Sequence, residues 1–361
     1  MSKQFCVSVI VPFYNAESHI KKCLDALLNQ DFIKPFEIIM VDDASTDNSQ
    51  NIIKMQNSPL LKLCSLPSNA GPSAARNIGL KAAKGEYVFF LDVDDTIYTS
   101  TLKILYNHAK ENNFDLVFSD KKRIENSQNQ RENIFVYPAD KTFNNIDITE
   151  AIKQRISNPL HTHGVVGVHG KLIKRSIISG NNLSFEEELR FFEDEVFMFD
   201  ILAFTRSMKY VRKQLYTYNI NSNPNVKSAR TEAFARPFPI SYFKFIKSHA
   251  QNSFRQRGLS AKESEKLGDQ AFIYWIIFTL VAYSLSIAKG RVDLENGVQR
   301  RRKIIDDILS DSDISKAIRN YSCSQEESSW IPRAIAWRSS KLLEFACIRR
   351  AKEILRVRRR D

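Results

Sequence analysis

The sequence predicts an α/β protein: a mostly parallel, doubly wound sheet followed by a helical C-terminal region. Short apolar runs rich in β-branched and aromatic residues, Val7 to Val11, Phe36 to Val41 and Tyr87 to Leu91, alternate with amphipathic stretches of helical length. That alternation is the pattern of βαβ units joined by right-handed crossovers. Each run also ends in polar residues, and such crossovers bring those loops to one sheet edge, where open α/β sheets bind their ligands. Beyond Ser228 the pattern changes to long helical stretches.

The elements follow in order. Val7 to Val11 is closed by Pro12, which has no N–H for a central ladder. Glu17 to Asn29 places Ile20, Leu24, Leu27 and Leu28 on one helical face. The second strand stops at Asp42-Asp43-Ala44-Ser45-Thr46-Asp47, turn and N-cap residues ahead of the amphipathic run Ser49 to Met55. Leu60 to Leu66 is a candidate third strand. Asn69 to Ser73 opens a helix, Ala74 to Lys84, with Gly85 as its C-cap. After the Tyr87 strand comes another at Asp115 to Ser119, then a polar stretch, Lys121 to Arg131, read as an exposed loop. A His-bearing loop runs from His161 to Gly170, and a short segment from Lys171 to Ile178. Phe191 opens a helix reaching Phe204, and Tyr210 to Tyr218 is a candidate strand. The Asn/Ser/Pro-rich segment Asn219 to Ser228 marks the boundary between a domain at 1–220 and a helical region at 221–361.

Composition bounds the function. At 361 residues, with 43% hydrophobic and 26% charged residues, the chain is expected to be a soluble globular protein with a full core. Five scattered cysteines without a C-x-x-C suggest neither a disulfide framework nor a zinc site, and fit a reducing, cytoplasmic compartment. No secretion-signal pattern is read at the N-terminus. Ala271 to Ala288 is eighteen residues without a charge, long enough for a membrane span; its Tyr, Thr and Ser residues favour a buried helix instead.

The net charge of +12 is uneven. From Trp330 onward ten cations (Arg333, Arg338, Lys341, Arg349, Arg350, Lys352, Arg356, Arg358, Arg359 and Arg360) face Glu344, Glu353 and Asp361. They interleave with Ile335, Leu342, Leu343, Ala346, Ile348 and Leu355, as in an amphipathic basic helix that docks on an anionic membrane face. A solvated charged helix pair is the plainer alternative.

The chemistry concentrates where the Tyr87 run ends in Asp92, Asp94 and Asp95. Oxygen-bearing side chains spaced i, i+2 at a strand end can reach one hard divalent cation, which in turn can hold a diphosphate. Alone, such a D-x-D is more often an acidic turn. The runs Val7 to Asn15 (VSVIVPFYN), Val41 to Ser49 (VDDASTDNS), Asn69 to Gly79 (NAGPSAARNIG) and Lys84 to Asp95 (KGEYVFFLDVDD) together resemble glycosyltransferase family 2, with its GT-A fold. The resemblance covers about residues 5 to 220.

The resemblance implies an inverting transfer from a UDP-sugar to a saccharide or lipid-linked acceptor of a bacterial surface glycan. It implies that Pro12, Tyr14, Glu17 and Asp43 hold the nucleotide base, a carboxylate accepting from the imide N–H and a ring packing on the base. Core packing for Tyr14 and an N-cap for Asp43 are the alternatives. Asp92 is implied at the ribose or the metal shell, Asp94 as the direct ligand of Mg²⁺ or Mn²⁺, and the acid pair Glu193-Asp194 in catalysis, Asp194 as base with Glu193 orienting the acceptor. Asp95 is expected to cap the following segment.

Arg76, placed near a helix N-terminus where cations are disfavoured, either reaches an anionic nucleotide site or pairs with an aspartate. Asn69 and Gly71 let the backbone approach the ligand. Among His161, His163 and His169, the last is the candidate for the metal shell. Lys171, and Lys227 or Arg230 in a closing loop over 221–230, are candidates for phosphate. Two other classes compete. A nucleic-acid binder would explain the basic pI, but no recognition motif is present and the cations sit on the tail. A nucleotidyltransferase would share the fold, but no G-x-G-x-R-type loop follows the first strand.

Overall fold

The computed structural model describes residues 4–125, 129–130, 136–157, 167–189, 191–220, 238–323 and 330–357. The His161, His163, Lys227 and Arg230 candidates, and Arg358, Arg359 and Arg360 of the tail, lie outside them. Two compact units result, one comprising Met1–Ala151 with Thr162–Ser222, the other Ile152–His161 with Asn223–Asp361.

The first unit runs β1 Val7–Phe13, α1 Glu17–Leu28, β2 Phe36–Asp42, α2 Ser49–Lys54, β3 Leu61–Ser65, α3 Pro72–Ala82 and β4 Tyr87–Phe90. It continues with β5 Thr96–Ile97, α4 Thr101–Glu111, β6 Leu116–Glu125, β7 Asn129–Gln130, β8 Lys141–Phe143 and the start of α5 Asn145–Ser157, whose remainder belongs to the second unit. It ends with β9 Lys171–Lys174, α6 Arg175–Gly180, α7 Glu193–Phe204 and β10 Met208–Ile220. The sheet order is β3-β2-β1-β4-β9-β6-β10-β5. The first four strands are parallel, β9 lies antiparallel between β4 and β6, and β6 and β10 are again parallel.

Burial on both faces explains why these strands read as continuous apolar runs. Val7, Val9 and Val11 pack with Ile20, Leu24 and Leu27 of α1 and Leu102 and Leu105 of α4. On the opposite face, Ile10 meets Gly79 of α3, and Phe90 meets Phe197 of α7 at 6.1 Å between rings.

Several boundaries differ from the sequence expectation. Strand β1 passes through Pro12, which is in register with Val41, and stops at Phe13. Ile10 accepts its bond from Leu91 on the β4 side, and Phe13 accepts from Asp43 on the β2 side. Pro12 therefore turns its missing N–H toward β4, whose ladder with β1 has already ended at Phe90. Helix α3 begins at Pro72, so Arg76 lies in its second turn, and it ends at Ala82 with an extended C-cap, Ala83. Gly85 is no cap: a Cβ there would stand 2.4 Å from the Ser8 backbone nitrogen, so glycine lets the chain press onto β1. Lys121 to Glu125, expected in a loop, extend β6 along β10, which supplies a long-range ladder invisible in local polarity.

The second unit is helical: α8 Ile240–Gln256, α9 Ala261–Ala288, α10 Leu294–Ser310, α11 Ser312–Ala317, a 3₁₀ turn at Ile318–Asn320, α12 Trp330–Ala336 and α13 Ser340–Val357. Helix α9 begins with a capping box, Ser260 accepting from the Glu263 backbone N–H while Glu263 accepts from that of Ser260. It is long and apolar enough to cross a membrane, and 78% of its apolar window is buried within the protein. Lys247 pairs with the buried Asp269 on this helix at 2.5 Å.

Gly85→Ala is expected to destabilise the protein by about 1–3 kcal/mol through overpacking against the Ser8 backbone. Gly180→Ala, where nothing lies within 4 Å of the added methyl, is the control expected to be nearly neutral in the same urea titrations.

Candidate active site

The carboxyl ends of β1, β2 and β3 carry loops that fasten one another. Asn15, held at φ 45°, donates its backbone N–H to Ser45 Oγ at 2.9 Å and accepts the Thr46 N–H on its Oδ1 at 2.8 Å. Glu17 donates its N–H to Asp47 and accepts the Asn48 N–H at 3.2 Å. Its carboxylate thus braces the second loop, beside a shallow depression lined by Lys21 and Asp47. Tyr14 is 48% exposed, which removes core packing as its explanation. Asp43 is buried and accepts the Ala70 and Gly71 N–H groups at 2.7 and 2.9 Å, one on each carboxylate oxygen. It is not a helix cap; it clamps the loop before α3, where Gly71 takes φ 92° and faces open space. Asn69 is exposed beside it, its side-chain amide 3.4 Å from the Asp43 carbonyl.

At the end of β4, ligand oxygens of Asp92, Asp94 and Asp95 lie within 4.8 Å of one another. Asp92 Oδ1 accepts from Arg76 at 3.1 Å, and His169 Nε2 stands 2.9 Å from Asp92 Oδ2. Burial opposes the charge on Asp92, but His169 and Arg76 hold its carboxyl well below the usual range. Burial, with repulsion from Asp92, pushes Asp94 up. Burial and both neighbouring aspartates push Asp95 up to about 8. Asp95 caps nothing: it accepts from Tyr216 Oη at 2.5 Å and from the Asn219 backbone at 2.8 Å. Asn219 also donates its side-chain amide to the Asp94 carbonyl at 2.8 Å, and Tyr216 Oη accepts from the Asp92 N–H at 3.5 Å. Strand β10 therefore holds the acidic loop.

Helix α7 opens with the acid pair. Phe192, just before it, sits in the left-handed region at φ 64°, a conformation that costs about 1–3 kcal/mol and occurs where surroundings over-determine it. Glu193 Oε1 accepts from Arg76 at 2.9 Å, so the Arg76 fork joins Asp92 to Glu193, with Phe185 5.3 Å from its guanidinium. Pairing, rather than reach into an open site, accounts for this arginine. Burial and Asp194, against the pull of Arg76, push Glu193 up to about 7. Asp194 lies beside Gly167, where a Cβ would stand 3.3 Å from its Oδ2. Lys171 is 1% exposed, with Nζ 5.4 Å from the Phe118 ring. Burial and Lys121 drive its pKa well below that of a free lysine, while Asp194 pulls it up. It is sealed beneath the site, not open to a phosphate.

Of the residues expected from the sequence, the structure joins Asp43 to the Asn69–Gly71 loop, and separately Arg76 to Asp92 and Glu193, with Asp94 and His169 beside Asp92. Sequence reasoning missed Tyr216, Asn219 and Lys121, whose placement comes from β6–β10 pairing; Lys121 Nζ stands 5.6 Å from the Tyr216 ring.

Comparison with known proteins agrees with this architecture. Residues 8–178 match the family model glycosyl transferase family 2, and the acid pair lies just beyond them. The chain is 33% identical over 216 residues to a poly(ribitol-phosphate) beta-glucosyltransferase of Bacillus spizizenii, covering 59% of this chain and 31% of that protein. It is 32% identical over 214 residues to the poly(ribitol-phosphate) beta-N-acetylglucosaminyltransferase TarS of Staphylococcus aureus, covering 58% and 35%. It therefore spans about a third of the length of these relatives. The crystal structure of TarS residues 1–349 with UDP-GlcNAc superposes with a TM-score of 0.69 at 22% identity, over 98% of this chain and 92% of that one.

Arg76→Met would leave the Asp92 carboxylate and Glu193 without the donor they share. It is expected to cost about 3 kcal/mol by denaturant titration, near the low end for a broken buried pair because Asp92 is 28% exposed. Glu193 keeps its proton to about 7 when folded but loses it near 4.5 when unfolded. The folded state then binds more protons between those values, and stability falls as pH rises through that window. Glu193→Gln is expected to flatten this decline in unfolding midpoints measured from pH 4.5 to 7. The fold is of the GT-A type, and the chain carries a glycosyl transferase family 2 domain in its N-terminal half.

Proposed function

We propose that the chain is a metal-dependent, inverting glycosyltransferase that moves a sugar from a UDP-sugar to a hydroxyl of a saccharide or lipid-linked acceptor in bacterial surface glycan synthesis, on the cytoplasmic side. The observation that carries this reading is one buried arginine linking the clustered aspartates after β4 to the acid pair opening α7. A cation-binding cluster and a candidate base are thereby held in one frame. The UDP-GlcNAc bound in TarS supports the donor class, and the poly(ribitol-phosphate) transferases support a surface-glycan acceptor.

The donor set fits a hard cation. Burial, together with repulsion among the clustered carboxylates, raises the pKa of Asp94 and Asp95, and a divalent ion relieves that repulsion. The buried His169 Nε2 has no aligned hydrogen bond among the described residues. Asp94 and Asp92, with His169 alongside, would hold Mg²⁺ or Mn²⁺, which when bound neutralises charge developing on the departing diphosphate.

The remaining work falls to the chain. Tyr14 packs on the uracil ring, and Asp43, with lone pairs beyond those given to Ala70 and Gly71, accepts the imide N–H. Pro12 and Glu17 shape the loop around the base. Asp194 takes the proton of the acceptor hydroxyl as its oxygen bonds to the anomeric carbon and the bond to the UDP oxygen breaks, inverting the centre. Glu193, fixed by Arg76, orients the helix start that presents Asp194.

Thermal-shift titration of UDP with Mn²⁺, followed by UDP-release assays across UDP-sugars, tests the reading. Asp194→Asn is expected to lower turnover about 10²–10⁴-fold with nucleotide binding kept, and Asp94→Asn to abolish the Mn²⁺-dependent part of the thermal shift. Wild-type turnover in both folded variants would falsify the site.

A further inference from the structure

Helices α12 and α13 do not present the apolar side of the basic tail. Ile335, Leu343, Ala346, Cys347 and Ala351 are each at most 2% exposed, and α13 packs on α9, α10 and α12. An inserted amphipathic helix is therefore not available without unfolding this unit. What remains outside is a different stripe.

Lys341, Phe345, Arg349, Lys352 and Arg356 are exposed at spacings of four, four, three and four residues, one face of α13. Phe345 is 61% exposed, and Trp337, in the turn before α13, is 63% exposed. That turn is built firmly: Arg338 adopts φ 51°, the Trp337 N–H donates to the Arg333 carbonyl, and Arg338 Nε donates to the Leu309 carbonyl, each at 2.9 Å. Two carboxylates on this helix are already shared between cations. Glu344 lies 2.9 Å from Arg301 and 3.1 Å from Arg302, and Glu353 lies 3.0 Å from Arg349 and 3.4 Å from Arg350. The stripe itself carries Lys341, Arg349, Lys352 and Arg356, with two large exposed rings, Trp337 and Phe345, among them.

We infer that this face, Trp337 with the Lys341–Phe345–Arg349–Lys352–Arg356 stripe, is a docking surface for an anionic phospholipid bilayer. Cations near such a surface gain from its negative potential, and aromatic rings settle at the headgroup level. Docking by this rigid face leaves the core of the helical unit intact. Single-stranded nucleic acid, the other polyanion that cations and rings can hold, is bound along a groove with a succession of stacking rings, whereas here one ring precedes a single helix stripe and one lies on it.

Vesicle flotation of the full chain tests this, with phosphatidylcholine alone and with about one-third phosphatidylglycerol. The expected result is binding to the anionic vesicles only, weakening with added salt. Lys341→Glu with Lys352→Glu should lower affinity by more than tenfold, since each cation near the surface is worth roughly fivefold. Trp337→Ser with Phe345→Ser should lower it severalfold at fixed salt, with melting temperature and UDP-induced thermal shift unchanged. Equal binding to both vesicles, no binding, undiminished binding by these variants, tighter retention on single-stranded nucleic acid, or self-association abolished by the same substitutions would each overturn the inference.

Discussion

The structure of the site depends on the burial of one guanidinium. Arg76 is 4% exposed, and an arginine taken out of water is tolerated only if its donors are met by acceptors in good geometry. Its planar fork meets Asp92 and Glu193, a bidentate reach that a lysine could not reproduce. Residues from α3, the loop after β4 and the start of α7 are thereby held at fixed distances, although Arg76 and Glu193 are 117 positions apart in the chain. His169 and Arg76 together depress the Asp92 pKa, while burial and Asp194, against Arg76, raise that of Glu193. One side chain thus fixes the geometry, and it shares the electrostatics with His169 and with burial.

Around that centre, loops take the place that helix caps would otherwise fill. Asp43 spends both oxygens on the Ala70–Gly71 backbone, and Asn15, Glu17, Ser45 and Asp47 exchange bonds across the first two loops. Asn15, Ala44 and Phe192 all sit at positive φ in these segments, conformations that persist because neighbouring bonds fix them. Such bracing holds a polar site in place before ligand arrives.

The sequence made legible what is local. Strands β1, β2 and β4 were readable because burial on both faces leaves uninterrupted apolar runs, and their terminal carboxylates mark the ligand edge. The pairing of Arg76 with an aspartate was one of two open explanations, and its second partner, Glu193, was not foreseen. What stayed hidden depends on distant pairing. Lys121 looked like loop because β6 is polar past Asp120, and only its ladder with β10 makes it strand. Asp95 resembled a cap because nothing nearby announces Tyr216 or Asn219. In the tail the helical spacing was visible, but a period alone cannot say whether its apolar side meets lipid or the neighbouring helices, and here it meets helices.

The early end of β4 gives the sheet a stepped edge. Strand β1 continues to Phe13 beside β2, while its pairing with β4 stops at Phe90, and Pro12 removes the one amide that would have pointed into the gap. This is also where the strand order β3-β2-β1-β4 reverses direction, the crevice that open α/β sheets offer to ligands. A notch made by unequal strand lengths needs no large side chains to be hollowed out. The loops bordering it are thus free to diverge in length and composition, and new ligand preferences can arise without disturbing the packed layers beneath.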